Sequence, residues 1–164
     1  MHNPYQQTRF LLGTPDQRCA PPDTGAEVAF AGRSNAGKSS ALNAITGQRS
    51  LARTSKAPGR TREINFFVVR DDLRLVDLPG YGYAKVSKAQ RATWWNLFER
   101  YLLENDRPMA VLHLLDSRHA PSAQDREVAN LMGMNESRVA LYTVGISIAL
   151  AGFKGAVIVQ LTIV

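Results

Sequence analysis

Hydrophobic and polar residues follow one another along the chain in blocks that predict strands and helices. Short apolar runs predict strands at Glu27–Gly32, Ile64–Arg70, Leu73–Leu78 and Met109–Asp116. Apolar residues at helical spacing predict helices at Lys38–Thr46, Ser87–Glu104 and Ala123–Met132. The Asp71-Asp72 pair between two strands predicts an antiparallel hairpin, and the unbroken apolar run Met109–Asp116 is typical of a strand inside a parallel sheet. These strands and helices together favour an α/β fold.

The two ends of the chain lack this patterning. Residues 1–26 have three prolines close together, Pro15, Pro21 and Pro22, and little periodicity, so they are expected to form an extended N-terminal arm. Residues 27–132 carry the predicted elements, and residues 133–164 are left as an apolar tail. From Val139 to Val164 this tail has one charged residue, Lys154, and no clear period.

Composition limits the class of protein. The 164 residues correspond to one domain, and with 45% apolar and 21% charged residues the chain resembles ordinary folded proteins, not disordered or collagen-like ones. Cys19 is the single cysteine, which excludes an intrachain disulfide and a cysteine-based zinc site. The apolar run 10–12 is too short for the core of a signal peptide. We therefore expect a cytoplasmic protein.

Positive charge is concentrated in the middle of the chain. The net charge is +6, and residues 31–107 alone contain fourteen Lys and Arg against seven Asp and Glu. The segment Gln48–Arg62 has no acidic residue and five basic ones, Arg49, Arg53, Lys56, Arg60 and Arg62. This long polar loop is either a solvated loop or a contact for phosphate or RNA.

The sequence from Gly32 to Ser39 carries a phosphate-binding pattern. It reads GRSNAGKS and satisfies G-x4-G-K-[ST] between a predicted strand and a predicted helix. Such a loop directs backbone N–H groups and a helix N-terminus at a phosphate, with Lys38 contacting phosphate oxygens and Ser39 a Mg²⁺ ion. A simple Gly/Ser turn with a solvated lysine is the alternative.

Two further segments fit a nucleotide site. Asp77 ends a predicted strand, where its carboxylate could hold Mg²⁺ through water, and the N–H of Gly80 could approach a terminal phosphate. An ordinary turn between strand and helix is the alternative for this segment. In the basic loop, Thr61 is the favoured hydroxyl to complete the Mg²⁺ ligands, with Thr54 and Ser55 as alternatives.

Four motifs resemble one protein family. GRSNAGKSS, SLARTSKAPGRTREINFF, LVDLPGYGYA and LLDSRHAPSAQD are similar, in this order, to the EngB (YihA/YsxC) family of the TrmE–Era–EngA–EngB–septin class. The resemblance covers roughly residues 4–132. It implies a P-loop NTPase fold of the G-domain type, with a mostly parallel central sheet, one antiparallel strand and flanking helices, whose C-terminal part is here incomplete or altered.

The resemblance also implies a function. EngB proteins bind GTP and GDP with Mg²⁺, act in assembly of the large ribosomal subunit, and are needed for normal division and septation. A monomer that contacts the large subunit or its rRNA, without stable membrane association, is therefore expected.

The resemblance further implies roles for individual residues. Those expected to contact the nucleotide are Gly32, Arg33, Ser34, Asn35, Ala36, Gly37, Lys38, Ser39, Ser40, Gly59, Arg60, Thr61, Arg62, Glu63, Asp77, Leu78, Pro79 and Gly80. Mg²⁺ would be held by Ser39 and Thr61 directly and by Asp77 through water, and Asn35 is a candidate ligand for an activating K⁺. Lys38 and Thr61 would support the transition state. Tyr81 stands where Ras-like enzymes have a water-orienting glutamine, so hydrolysis is expected to be slow.

The guanine-reading motif of such GTPases, [NT]-K-x-D, is absent from this sequence. None of the five lysines, Lys38, Lys56, Lys85, Lys88 and Lys154, is followed two residues later by aspartate. Three interpretations of the tail remain: a truncated or frame-altered end, a divergent end that supplies strands at 139–144 and 156–164, or a membrane span. For a span, the uncharged run Val139–Phe153 is only 15 residues, short of about 20.

Three functions compete on these grounds. The first is a GTP-hydrolysing switch in ribosome assembly. The second is a non-catalytic or non-selective remnant of that family which binds nucleotide or rRNA without reading guanine. The third is an RNA-binding protein that uses the basic residues of Gln48–Arg62. The histidines, His2, His113 and His119, lack the spacing of a metal site or catalytic triad and are interpreted as structural or surface residues.

Overall fold

A computed structural model of the chain describes residues 3–22, 24–52, 63–82, 87–104, 109–116, 120–133 and 157–163. The strands are β1 Arg9–Thr14, β2 Ala26–Gly32, β3 Ile64–Arg70, β4 Leu73–Asp77, β5 Met109–Asp116 and β6 Val157–Ile163. The α-helices are α1 Lys38–Thr46, α2 Lys88–Leu103 and α3 Ala123–Leu131, and a short 3-10 helix spans Gln17–Cys19. The strands and helices predicted between 27 and 132 are all present, with ends that differ by at most one residue.

The strands form one sheet in the order β1-β3-β4-β2-β5-β6. The central strands β4, β2 and β5 are parallel to one another, and β3 is antiparallel to β4 through the predicted hairpin. The predicted fold class is therefore confirmed: an α/β domain with a mixed, mostly parallel sheet. At the far edge, β6 runs antiparallel to β5, so two strands, β3 and β6, run against the other four, where one such strand was predicted.

The N-terminal arm contains a strand of the sheet, β1, which the sequence pattern does not predict. Arg9–Thr14 pairs antiparallel with β3, from Arg9 opposite Val68 to Thr14 opposite Ile64. As an edge strand it has one neighbour, and Phe10 and Leu11 stay 53% and 43% exposed. The alternation of buried and exposed residues that identifies a half-buried strand is therefore lost. Its place is set by pairing with a distant strand.

The C-terminal tail contains one described strand. Strand β6 pairs with β5 from Val157 opposite Asp116 to Ile163 opposite Ala110. It occupies the strand proposed for 156–164 under the interpretation of a divergent end, whereas the other candidate, 139–144, lies outside the described residues. In the part of the chain that the structure describes, no helix combines the length and apolar character needed to cross a membrane.

Neighbouring strand residues face opposite sides of the sheet and build two cores. Phe66 packs with α2 and α3 on one side, whereas Phe67 packs with α1 on the other. In α2, Phe98, Tyr101 and Leu102 are buried and the two tryptophans, Trp94 and Trp95, are half-buried against the same core. This three-layer frame brings the carboxyl ends of β2 and β4 beside the N-terminus of α1.

Candidate functional site

The loop from β2 to α1 has the backbone of an anion cradle. Asn35 and Gly37 have left-handed conformations, with φ of 66° and 95°. Gly37 is the N-cap of α1 and makes no side-chain cap, and the first turn of the helix carries no acidic residue. The N–H groups at this helix end, with the positive end of the helix dipole, are therefore disposed toward an anion.

Lys38 is a buried cation in this cradle. Its side chain is 7% exposed, and Nζ donates to the carbonyl oxygens of Gly32 and Arg33 at 3.2 and 3.3 Å. Burial lowers the pKa of the Lys38 amine, and the negative charge of Asp77 partly offsets this. An anion bound at the loop would compensate the buried positive charge.

Asp77 and Ser39 bring two oxygen ligands together. The Ser39 hydroxyl donates to Oδ2 of Asp77 at 2.8 Å, whereas the buried Oδ1 has no hydrogen-bond partner among the described residues. Burial raises the pKa of the Asp77 carboxyl, against the opposing effects of Lys38 and of the Ser39 hydrogen bond. A hydroxyl and a carboxylate with an unsatisfied oxygen are ligands that fit Mg²⁺, and the charge of the ion would favour the ionised carboxylate.

Gly80 is packed against the phosphate loop. A Cβ built at this position would lie 2.8 Å from Cα of Ser34 and 3.0 Å from Nζ of Lys38. The preceding segment is fixed by the N–H of Leu78, which donates to the carbonyl of Phe30 in β2 at 3.1 Å. Only glycine therefore allows this close approach of the segment after β4 to the loop after β2.

Tyr81 turns its side chain into the core, away from the cradle. The residue is 2% exposed, and its hydroxyl donates to Oδ1 of Asp125 and contacts Nε2 of His113, both at 2.6 Å. Burial, followed by the hydrogen bond to Asp125, raises the pKa of the Tyr81 hydroxyl far above its usual range. The side chain at the position where Ras-like enzymes have a water-orienting glutamine is therefore buried and hydrogen-bonded to other residues of the core. His113, which was expected to be a structural or a surface residue, is a structural one: it is buried and contacts the Tyr81 hydroxyl.

The structure brings together one part of the predicted site. The loop Gly32–Ser40 and the segment Asp77–Gly80 meet at the carboxyl edge of the sheet. Glu63 is exposed, and its carboxylate lies beside Gly13 of β1. The other predicted positions of the basic loop lie outside the described residues: Thr54, Ser55, Gly59, Arg60, Thr61 and Arg62.

The start of the basic loop is tied to α1. Asn43 accepts from the N–H of Ala52 at 2.7 Å and donates to the carbonyl of Ala52 at 2.9 Å. The N-terminal segment reaches the same region, because Asn3 donates to the carbonyl of Ile45 at 2.9 Å. Sequence reasoning missed these contacts and the contacts of Tyr81, although the Ser122-x-x-Asp125 spacing before α3 was a local sign of a capping box.

Comparison with known proteins gives consistent matches. Residues 27–144 match the family described as "50S ribosome-binding GTPase". The chain is 54% identical over 124 residues to the "Probable GTP-binding protein EngB" of Escherichia coli (strain K12) and, equally, to that of Shigella boydii serotype 18. The alignment covers 76% of this chain and 59% of each relative, so the chain spans about six tenths of their length. The resemblance to EngB found from the motifs is thereby confirmed.

Among solved structures, a "Crystal structure of a probable GTP-binding protein engB" is 30% identical to this chain. The match covers 48% of this chain and 42% of that one, with a TM-score of 0.39.

Proposed function

The chain belongs to the family of 50S ribosome-binding GTPases, and on that premise we propose that it binds the phosphates of GTP and GDP at the loop Gly32–Ser40. The observation that carries this proposal is the pair of buried charges, Lys38 and Asp77, at the carboxyl edge of the sheet. Burial pushes both toward their neutral forms. A phosphate beside Lys38 and a cation beside Asp77 would favour the charged forms of both.

Mg²⁺ would be held by the Ser39 hydroxyl and, through water, by Asp77. Two observations support the assignment: the hydrogen bond between these two side chains, and the Oδ1 of Asp77, which has no hydrogen-bond partner among the described residues. When bound, the ion neutralises charge on the phosphates of the nucleotide. Thr61 is proposed as a further ligand.

Hydrolysis is proposed to be slow. Lys38 can stabilise phosphate charge, but the Tyr81 side chain is engaged in the core and cannot orient water. Asn35 is exposed at the tip of the loop, where its side-chain oxygen could bind an activating K⁺. Equal turnover in K⁺ and Na⁺ buffers would count against that role.

The cellular role follows from the family. We propose a switch in assembly of the large ribosomal subunit, linked to normal division and septation, in a cytoplasmic monomer. The family description, which names binding to the 50S ribosome, supports the ribosomal part of this proposal. The link to division and septation rests on the resemblance of the motifs. The basic residues of Gln48–Arg62 would contribute contacts to rRNA phosphates.

The missing guanine-reading motif favours a second candidate. Without [NT]-K-x-D, the phosphate cradle would hold a nucleotide without selecting its base, as a non-selective nucleotide- or rRNA-binding member of the family. In that case the phosphates supply nearly all of the affinity.

Titration of the purified chain with GTP, ATP and ITP separates the candidates. Micromolar affinity for GTP with strong preference over ATP supports the selective GTPase. Equal, weak affinity for all three supports the non-selective module. A third result, no nucleotide binding together with rRNA binding that persists in Lys38→Ala, would overturn nucleotide binding in both candidates and support an RNA-binding protein.

A further inference from the structure

A groove of about 540 Å³ lies between helices α2 and α3. Trp95 and Glu99 line it from α2, and one side of α3, which includes Glu127 and Leu131, lines it from the other helix. Both helices pack on the face of the sheet opposite to α1. None of the residues that line the groove belongs to the phosphate site described above, so the groove needs an explanation of its own.

The groove has a rigid apolar surface. Trp95 and Leu131 are half-buried, and both pack against the core beneath them. The Trp95 ring stacks on the buried ring of Phe98, with centroids 5.9 Å apart and 24° between the planes. A large ring that the core already holds in place loses little side-chain entropy when a partner covers it, which is why tryptophan is common at the centre of interfaces.

Two carboxylates border this apolar surface, one from each helix. Glu99 lies one helical turn after Trp95, and Glu127 lies one turn before Leu131. Neither glutamate forms an ion pair with any residue that the structure describes. Glu99 is half-buried, so its charge is partly withdrawn from water without a cation nearby to compensate it.

The charge of the groove is opposite in sign to that of the whole chain. Its described lining carries two negative charges and one positive charge, that of the exposed Arg126, whereas the net charge of the chain is +6. Arg126 does not neutralise Glu127, because adjacent positions on a helix do not face each other. A nucleic acid would bring its phosphates against the two carboxylates. A partner of complementary chemistry has positive charges beside an apolar group.

We propose that the groove between α2 and α3 binds a basic peptide segment of a partner protein, with an apolar side chain against Trp95 and Leu131 and Lys or Arg side chains beside Glu99 and Glu127. The aliphatic stems of Lys and Arg can cover the indole ring while their charged ends reach the carboxylates. The proposal is independent of the proposed function, since it requires neither bound nucleotide nor contact with rRNA.

A synthetic peptide is the probe. Acetyl-Gly-Lys-Leu-Lys-Leu-Arg-Gly-amide is titrated calorimetrically into the full chain at low salt, and should bind with an affinity that falls as salt is raised. A second peptide, with serine for both leucines, should bind at least about tenfold more weakly, because the apolar contact is lost. A third, with glutamate for the three basic residues, should not bind.

Charge variants of the protein should have effects of opposite sign. Glu127→Gln removes an exposed carboxylate without changing its shape, and should weaken binding of the first peptide about three- to fivefold. Arg126→Gln, at the next position, should strengthen it, because a like charge is removed. Glu104→Gln is the matched control: this exposed glutamate of the α2 end pairs with Arg100 and does not line the groove, so its loss should leave the affinity unchanged.

Tryptophan fluorescence locates the bound peptide. The chain has two tryptophans, so Trp94→Phe leaves Trp95 as the single indole. In this variant the first peptide should shift the emission of Trp95 to shorter wavelength, because the peptide displaces water from the ring. The glutamate peptide should leave the emission unchanged.

Several results would overturn the proposal. One is a folded wild-type chain that does not bind the first peptide, and another is an equal loss of affinity in Glu127→Gln and Glu104→Gln, which would show attraction by overall charge alone. Poly(U) that displaces the peptide and binds more tightly in Glu127→Gln would make RNA the occupant. A chain that sediments as a dimer, and as a monomer in Glu127→Gln, would make a second copy the occupant. Loss of nucleotide binding would leave the proposal intact.

Discussion

Two buried pairs of opposite charge lie at opposite ends of strands β2 and β4. Glu27 and Arg74 face each other in register near the start of β2 and β4. Lys38 and Asp77 lie where those strands end and α1 begins. All four side chains are less than a tenth exposed. The surroundings of the two pairs can therefore be compared directly.

Protein groups surround the first pair. The guanidinium of Arg74 lies 3.5 Å from Oε1 of Glu27 and donates to the carbonyl of Pro22 and to the hydroxyl of Thr24 at 2.9 and 3.0 Å. Tyr101 donates to the other oxygen of Glu27. These contacts attach the N-terminal segment and α2 to the base of the sheet. The cluster is structural.

The second pair, Lys38 and Asp77, lacks a full set of hydrogen-bond partners among the described residues. Burial outweighs the mutual attraction of Lys38 and Asp77, so the pKa of the amine is lowered and that of the carboxyl raised. One oxygen of Asp77 has no partner among the described residues. Burial of charge alone thus does not identify a binding site. The site is identified by a buried polar atom that has no hydrogen-bond partner among the described residues and lies beside a helix N-terminus.

The largest effect is expected at the structural pair. Arg74→Met leaves the buried carboxyl group of Glu27 without its cation, so the free energy of unfolding should fall by about 3–5 kcal/mol, measured by urea denaturation. The double variant Glu27→Gln, Arg74→Met removes the stranded charge and should recover part of the loss. A loss in Arg74→Met of the size usual for an exposed substitution would show that this pair is not the structural counterpart described above.

Lys38→Met should affect nucleotide binding more than it affects stability. Nucleotide affinity should fall about 100-fold, because a charged hydrogen-bond donor to phosphate is lost. The nucleotide-free protein should lose less stability than Arg74→Met does, since burial already opposes the charged form of Lys38. Arg91→Met, an exposed change on α2, is the control and should alter neither quantity. Undiminished GTP binding in Lys38→Met would mean that the site is assigned wrongly.

Asp77→Asn tests the pH dependence of the site. Because the pKa of Asp77 is raised above 3.8 in the folded protein, the folded state holds this proton more tightly than the unfolded chain, and stability is lost as pH rises through the raised value. The nucleotide-free variant should therefore be more stable than the wild type at neutral pH, by on the order of 1 kcal/mol. The difference should vanish at acid pH. In the same variant, Mg²⁺ should no longer strengthen nucleotide binding. A stability difference that is constant with pH would contradict the assigned cause.

Local sequence patterns predicted the elements whose ends and conformation are determined by residues close together in the sequence. The ends of α1 follow from Gly37 and Gly47 on either side of its apolar residues, and the phosphate loop is contiguous in sequence. Strand β1 carries no such signal, because its place depends on pairing with β3, far along the chain, and its apolar residues stay partly exposed.

The contacts of the Tyr81 hydroxyl were beyond sequence reasoning for a different reason. Tyr81 is 32 residues from His113 and 44 from Asp125, and no spacing rule connects positions so far apart. Each of these residues has an ordinary local interpretation, and only the position of β5 in the sheet and the packing of α3 on one face of it bring them together. The role of Thr61 stays a prediction.

Calorimetric titration of the wild-type chain with GDP, with and without Mg²⁺, tests the central claim most directly. The incomplete pair at the carboxyl edge predicts one binding site per chain, an affinity that Mg²⁺ increases, and loss of the binding heat in Lys38→Met. A wild-type chain that is folded by circular dichroism but releases or absorbs no heat with GDP in Mg²⁺, or that binds equally well as Lys38→Met, would contradict the account.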